Sequence, residues 1–183
     1  MLISTTIIAA VILWAIVIFN KLVKNKNRVF GAWSDIDVQL KRRHNLIPKL
    51  VDVVKAYAQY EQDVMEKVTA LRTESHTDES VHKRSNDESQ LSFMVRNMFA
   101  VAEDYPDLKA DESFLNLQNN LTEVENQIQF ARRYYNGAVL NLNIMIQQFP
   151  SNLIANSFKF ITAEYFEIEL ATQRQSPDMD FDK

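Results

Sequence analysis

Cysteine is absent, which excludes disulfides, a thiol nucleophile and any thiolate metal site, and leaves a reducing compartment open. Two glycines and four prolines in 183 residues are too few for a turn-rich sheet fold or a glycine-lined phosphate cradle. No nucleophile elbow or P-loop occurs. Charge is missing altogether from Leu2 to Phe19, "LISTTIIAAVILWAIVIF".

What is present is helix-forming. At 46% apolar composition the chain can bury a core, and the long stretches between its few breakers are rich in Leu, Val, Asn, Gln, Glu and Lys. The expected fold class is all-α: an N-terminal transmembrane helix leading into an antiparallel bundle of three long helices plus a shorter C-terminal one. By domain, residues 1–24 form the anchor and its basic flank, 25–171 the bundle and 172–183 an acidic flexible tail.

The eighteen uncharged residues would span roughly 27 Å as a helix, close to a bilayer's hydrocarbon thickness. No basic segment precedes them and no small-x-small cleavage site follows, so a retained anchor is expected in place of a cleaved signal. Lys21, Lys24, Lys26 and Arg28 follow directly. The positive-inside rule then places the bundle in the cytoplasm and the short N-terminus outside, a single pass through the bacterial cytoplasmic membrane with these four side chains at its anionic surface.

The net charge of −4 conceals a division. Residues 1–50 carry eight Lys/Arg against two acids, and the remaining residues twelve against twenty-two, so a +6 root bears a −10 body. That polarity suits a lipid bilayer with anionic headgroups as partner and not nucleic acid.

From Trp33, steps of three and four visit Ile36, Leu40, Arg43, Ile47, Leu50, Val54, Tyr57, Glu61, Val64, Val68 and Leu71, a helical seam broken by Arg43 and Glu61. "RTESHTDESVHKRSNDESQ", residues 72–90, has one apolar residue in nineteen and reads as a polar connection. A second helix is expected over 89–105, with Leu91, Met94, Met98, Val101 and Tyr105 in its seam. A third, capped by Asp111, runs from Phe114 to Phe149 with eleven apolar seam positions. Ser151 would cap a fourth carrying Leu153, Ile154, Phe158 and Ile161, with Tyr165, Phe166 and Ile168 beyond. Such seams have coiled-coil character, and a homo-oligomer is among the expectations.

Candidate chemistry is sparse. A di-metal bundle site needs two Glu-x-x-His motifs, and only Glu79 to His82 fits, within the polar connection. His76 and His82 read as solvated. Catalytic, cofactor and metal residues are therefore expected to be none. Tyr134 and Tyr135 could stack on a ligand ring, but Tyr135 and Trp33 fall on seams, so packing is the expectation.

"KRRHNLIPKLV", residues 41–51, places Lys41 and Arg42 on an outer face and Arg43 on the seam. A buried guanidinium needs an acid, with Glu103 and Glu125 as candidates, making Arg43, Glu103 and Glu125 the expected structural polar core. Asp37 would pair with Lys41 at i+4. Pro48 should bend a continuing helix on its water-facing side. Lys41 and Arg42 would reach lipid only if the helix bent near Gly31.

Four stretches, "AWSDIDVQLKRRHNLIPKLV", "AVAEDYPDLKA", "LTEVENQIQFARRYYNGAV" and "FPSNLIA", resemble in order the signature blocks of the LemA family of bacterial membrane-anchored proteins, from Ala32 to Ala155. The resemblance implies a short outside N-terminus, one transmembrane helix, a cytoplasmic antiparallel bundle and no agreed enzymatic activity. Relatives associated with magnetosome membranes imply a membrane-organising role. The chain departs from the family pattern at His44 and Asn45, where Tyr and Asp are usual, at Asn97 to Phe99, where an aliphatic run is usual, and at Ser151, where Gly is. The expected function is a non-enzymatic, self-associating scaffold that organises or remodels the membrane. An adaptor or sensor recruiting a membrane protease or envelope-stress component is the alternative.

Overall fold

The computed structural model describes residues 2–57 and 81–166, and among these the protein is all-α. Helix α1 runs unbroken from Leu2 to Tyr57, about 84 Å at helical rise. It passes through Gly31 and Pro48 without interruption, so the apolar stretch and the first bundle helix are one rod. A membrane can be crossed by one helix of this length and polarity, and no residue of its apolar window is fully buried in the protein. Beyond Tyr57 the expected seam positions Glu61, Val64, Val68 and Leu71 lie outside the described residues.

Helix α2 spans Val81–Ala102, α3 is a single turn at Pro106–Lys109, α4 spans Glu112–Gln147 and α5 Ser151–Ser157. α4 lies antiparallel to α1. Asn25 donates to the Met145 sulfur at 3.0 Å, Arg43 to Glu125 at 2.9 Å and Tyr57 to Asp111 at 3.0 Å, so steps forward along α1 are matched by near-equal steps back along α4. α2 runs parallel to α1, with Arg84 beside Asp37 at 2.6 Å and Glu88 beside Arg43.

The cap of α4 shows how sequence sets its start. Asp111 has extended backbone and its carboxylate accepts the Phe114 amide at 2.9 Å, the N-cap geometry that satisfies an otherwise orphaned donor. That bond, with the hydroxyl donated by Tyr57, holds the Asp111 carboxyl below the usual carboxylate range.

Three expectations need correction. The polar run 72–90 is helix from Val81 onward, while residues 72–80 lie outside the described residues. Periodicity of apolar residues cannot register a seam made of small and charged side chains, yet Val81, Ser85, Glu88, Ser92 and Val95 keep the three-and-four spacing. The inward face of α2 is accordingly turned toward Ser92, Val95 and Ala102, leaving Met94 and Val101 only half-buried. Secondly, Ser151 is the first helical residue of α5, not its cap. Its hydroxyl bonds back to the carbonyls of Met145 and Gln148 at 2.7 and 2.9 Å, closing the end of α4.

The third correction concerns the short C-terminal helix, which ends at Ser157 and so does not carry Phe158 or Ile161. After α5, Lys159 takes a left-handed backbone (φ 56°) and residues 160–166 run extended along α4. Asn143 clamps Ala163 through both amide atoms at 2.9 and 3.0 Å. Asn136 does the same to Phe166 at 2.9 and 3.1 Å. Seven helical residues rise about 10.5 Å and three extended residues about 10 Å, so a heptad of α4 matches three steps of this strap.

Candidate functional site: a buried ion layer between two cores

Two apolar cores are stacked along the bundle. The one nearer the apolar stretch gathers Leu22, Val29, Ala32, Ile36 and Leu40 of α1 with Val124 through Ile146 of α4, Ala155 and Phe166. The other joins Ile47 to Val54 with Leu91, Val95, Met98 and Ala102 of α2, Leu108, Phe114 and Leu121. Between them lies a layer of charge.

Arg43 is 1% exposed. Its Nη1 donates to Glu125 Oε2 at 2.9 Å and to the Ser92 hydroxyl, and its Nη2 donates to the Glu88 carboxylate and, at 3.1 Å, to the Glu88 carbonyl. The neighbouring His44 Nε2 lies 3.0 Å from Glu88 Oε1. Ser92 Oγ sits 3.0 Å from both the Glu88 carbonyl and Glu125 Oε1. One guanidinium thus ties α1, α2 and α4 together, the multiply hydrogen-bonded geometry that a buried ion pair requires.

Burial works to push the Glu88 carboxyl up, but the His44 hydrogen bond and the Arg43 charge together outweigh it and hold the group below its ordinary value. Arg132, about two helical turns below the layer on α4, is also buried. Desolvation lowers its guanidinium to about 10, against an opposing pull from Glu125. Its carbon centre sits 4.4 Å over the Phe166 ring, while Nη2 has no hydrogen-bond partner among the described residues.

Of the residues expected in the polar core, Arg43 and Glu125 are in contact and Glu103 is not. Glu103 lies on the exposed turn after α2 and pairs with Lys109, because α2 has already carried it past the layer to the far end of the bundle. The acid that sequence reasoning missed is Glu88. A signal existed: it falls on the helical spacing from Leu91 and Val95, and Arg43 called for more than one partner. Asp37 meets Arg84 in place of Lys41, and Arg42 faces outward, 3.6 Å from Glu123. Pro48 is half-buried, on a side that water still reaches.

Lys21, Lys24, Lys26 and Arg28 are all exposed, ringing α1 just past the apolar stretch. Unbroken helix at Gly31 keeps Lys41 roughly 33 Å beyond Phe19. A groove of about 480 Å³ opens above the basic ring, walled by Val29, Phe30, Trp33, Tyr135 and the strap, with Lys26 and Lys159 at its edge. The Trp33 ring packs at a tilt, 5.3 Å from that of Tyr135, whose hydroxyl donates to the Glu164 carbonyl at 2.9 Å. Burial, with the Glu164 charge adding to it, pushes the Tyr135 phenol up. Tyr134 is exposed beside Phe130 and Val38 around a second hollow of about 350 Å³.

Among the described residues no group of three His, Asp or Glu side chains is placed to hold a metal ion. His76 and Glu79 lie outside them, and His82 is exposed.

The family model described as "LemA family" matches residues 32–181. The chain is 26% identical over 162 residues to Protein LemA of Metamycoplasma hominis, covering 88% of this chain and 73% of that one. It is 24% identical over 193 aligned positions to the magnetosome proteins MamQ 1 and MamQ 2 of Paramagnetospirillum magneticum, covering 91% of this chain and 71% of each.

Proposed function

The chain belongs to the LemA family, and from that premise we propose that it is a non-enzymatic scaffold anchored in the bacterial cytoplasmic membrane, organising or remodelling the bilayer through self-association. The observation that carries this reading is the unbroken α1. Eighteen uncharged residues continue without a linker into the bundle, so any lateral contact between bundles is transmitted as a fixed orientation to the bilayer. The basic ring supports a cytoplasmic bundle by the positive-inside rule. The magnetosome relatives bear names from membrane-bounded organelles, which agrees with a membrane-shaping role.

The ionisable groups support the non-enzymatic part. Arg43, Glu88 and His44 are engaged with one another inside the bundle, each 3% exposed or less. Self-association has a surface available at Val38, Phe130 and Tyr134, all more than half exposed on adjacent helices.

The full-length protein reconstituted into anionic liposomes and imaged in vitreous ice should form large assemblies and change vesicle shape. Strictly monomeric particles in unaltered vesicles would refute the scaffold. The groove beside Trp33 favours a second reading, an adaptor recruiting a membrane protease or envelope-stress component. A stoichiometric heterologous partner purified from membranes, with no self-association, would select it.

A further inference from the structure

The end of the bundle nearest the apolar stretch is unlike the rest of its surface. Met145 is level with Asn25, and α4 ends two residues later, heading toward the stretch. α5 then packs Ile154 and Ala155 into the core that also receives Ile18 and Leu22. The Phe19 ring, last of the uncharged run, lies 4.7 Å from Phe158 and 5.9 Å from Phe160. The bundle therefore overlaps the final turn of the apolar helix.

At this level the surface is apolar. Phe149 is 73% exposed, Leu153 55%, Phe158 59% and Ile161 82%, four large side chains within thirteen residues and facing away from the core. Residues 148–163 hold no acid and a single base, Lys159, within a body whose net charge is −10. A water-facing surface has no use for such a patch.

We infer that residues 148–162 form a collar that inserts Phe149, Leu153, Phe158 and Ile161 into the leaflet on the basic side of the membrane. The inference rests on the reading of residues 2–19 as a membrane anchor. Continuity names the occupant. The patch touches the end of the span, so the bilayer's interfacial zone is where the chain already holds it. Lys26 and Lys159 line one groove with Ile161, both exposed and long enough to reach anionic headgroups while the apolar groups lie deeper, and Lys21, Lys24 and Arg28 are exposed at the same level of α1.

An apolar helix end with aromatic side chains at the headgroup boundary is the chemistry of an interfacial element. It deepens the scaffold reading as well. Side chains added to one leaflet, on one side of a span, occupy area there without a counterpart opposite, and each assembled copy would add its wedge to the same leaflet.

The absence of cysteine makes the test direct. Single cysteines replace Phe149, Leu153, Phe158 or Ile161 in the full chain, each carries a nitroxide, and the protein is placed in nanodiscs of phosphatidylcholine and phosphatidylglycerol. Leu13→Cys reports the span, and Leu115→Cys the exposed far end of α4. All four collar labels should be accessible to oxygen and several-fold less accessible than the Leu115 label to a water-soluble nickel complex. Collar labels as nickel-accessible as Leu115, with Leu13 in lipid, would overturn the collar and leave the anchor standing. Labels shielded from both reagents would overturn it in favour of a second copy covering the patch. A water-accessible Leu13 label would overturn the anchor and the collar together. Vesicle deformation is not read in this experiment, so the scaffold and the collar can fail separately.

Discussion

Replacing Arg43 by alanine should be among the most damaging single changes in the bundle. The guanidinium is 1% exposed and its partner Glu88 2%, so truncation leaves a carboxylate in the interior with His44 against it and Arg132 at longer range. Breaking a buried pair from one side costs about 3–5 kcal/mol. Arg42, adjacent in sequence, meets Glu123 at 3.6 Å with both side chains about half in water, a contact worth roughly 0–1 kcal/mol. At about 2–4 °C per kcal/mol for a chain of this size, Arg43→Ala should lower Tm by roughly 6–20 °C and Arg42→Ala by less than about 4 °C. Circular dichroism at the helical minimum, in one detergent and at neutral pH, measures both. Charge removed from both sides should cost less: Arg43→Met with Glu88→Leu should recover most of the loss of Arg43→Met alone, since Glu125, partly exposed, can turn to water. Equal small shifts for Arg42→Ala and Arg43→Ala, or a double variant worse than either single one, would refute the buried layer as the tie between helices.

The Glu88 carboxyl is held below its ordinary value in the folded protein, so its stabilising contribution is complete above the unfolded value of about 4.3 and is lost as pH falls through the folded one. Glu88→Gln should therefore flatten the acid limb of a Tm-against-pH curve below about pH 4.3, and an unchanged limb would count against the assignment. Arg132 has the opposite sign. A base lowered to about 10 by burial is costly while charged, and that cost is relieved only as pH rises through about 10, so Arg132→Met should be no less stable than the parent at pH 7. Marked destabilisation would show that its contact with Phe166 outweighs desolvation. Asn136→Ala with Asn143→Ala removes both clamps on the strap and should speed tryptic cleavage at Lys159 without loss of helix content. Unaltered cleavage would mean that the Phe166 and Tyr135 contacts hold the strap by themselves.

The parts legible in the sequence are those written in apolar spacing or in caps. The long α4 with its Asp111 start, the apolar front of α1 and the inward Arg43 all follow from patterns of that kind. The beginning of α2 was illegible for a physical reason: its buried positions 85, 88 and 92 are Ser, Glu and Ser, and the last two are held by an arginine from another helix. Glu103 misled because an acid near a turn is as available to a surface lysine as to the core, and nothing local distinguishes the two. The strap was hidden by its composition. Phe160, Ile161, Tyr165 and Phe166 suit a helix or an extended segment equally, and the choice is made by Asn136 and Asn143, whose paired amides lie twenty to thirty residues away.

The position of the ion layer bears on how the scaffold would act. Two apolar cores alone would tolerate sliding of α1 against α4 or α2, because neighbouring heptads of Leu, Ile and Val present similar surfaces. Arg43 removes that freedom. A slip of one heptad would displace its guanidinium by about 10.5 Å from Glu125 and Glu88 and strand charge in the interior. The lower core is fixed in the same way by Asn136 and Asn143, which accept the strap in one register only. The first device holds α1 against α4 and α2, the second seats the strap on α4, and α1 is also the helix that enters the apolar stretch. The azimuth of the bundle about that stretch, and hence the side on which Phe149, Leu153, Phe158 and Ile161 stand, is therefore set by polar contacts inside the bundle. An Arg43→Met, Glu88→Leu protein can be as stable as the parent yet free to shift register. In the nanodisc measurement its collar labels should then show broadened, intermediate accessibility, whereas single sharp values like the parent's would show that apolar packing alone fixes the register.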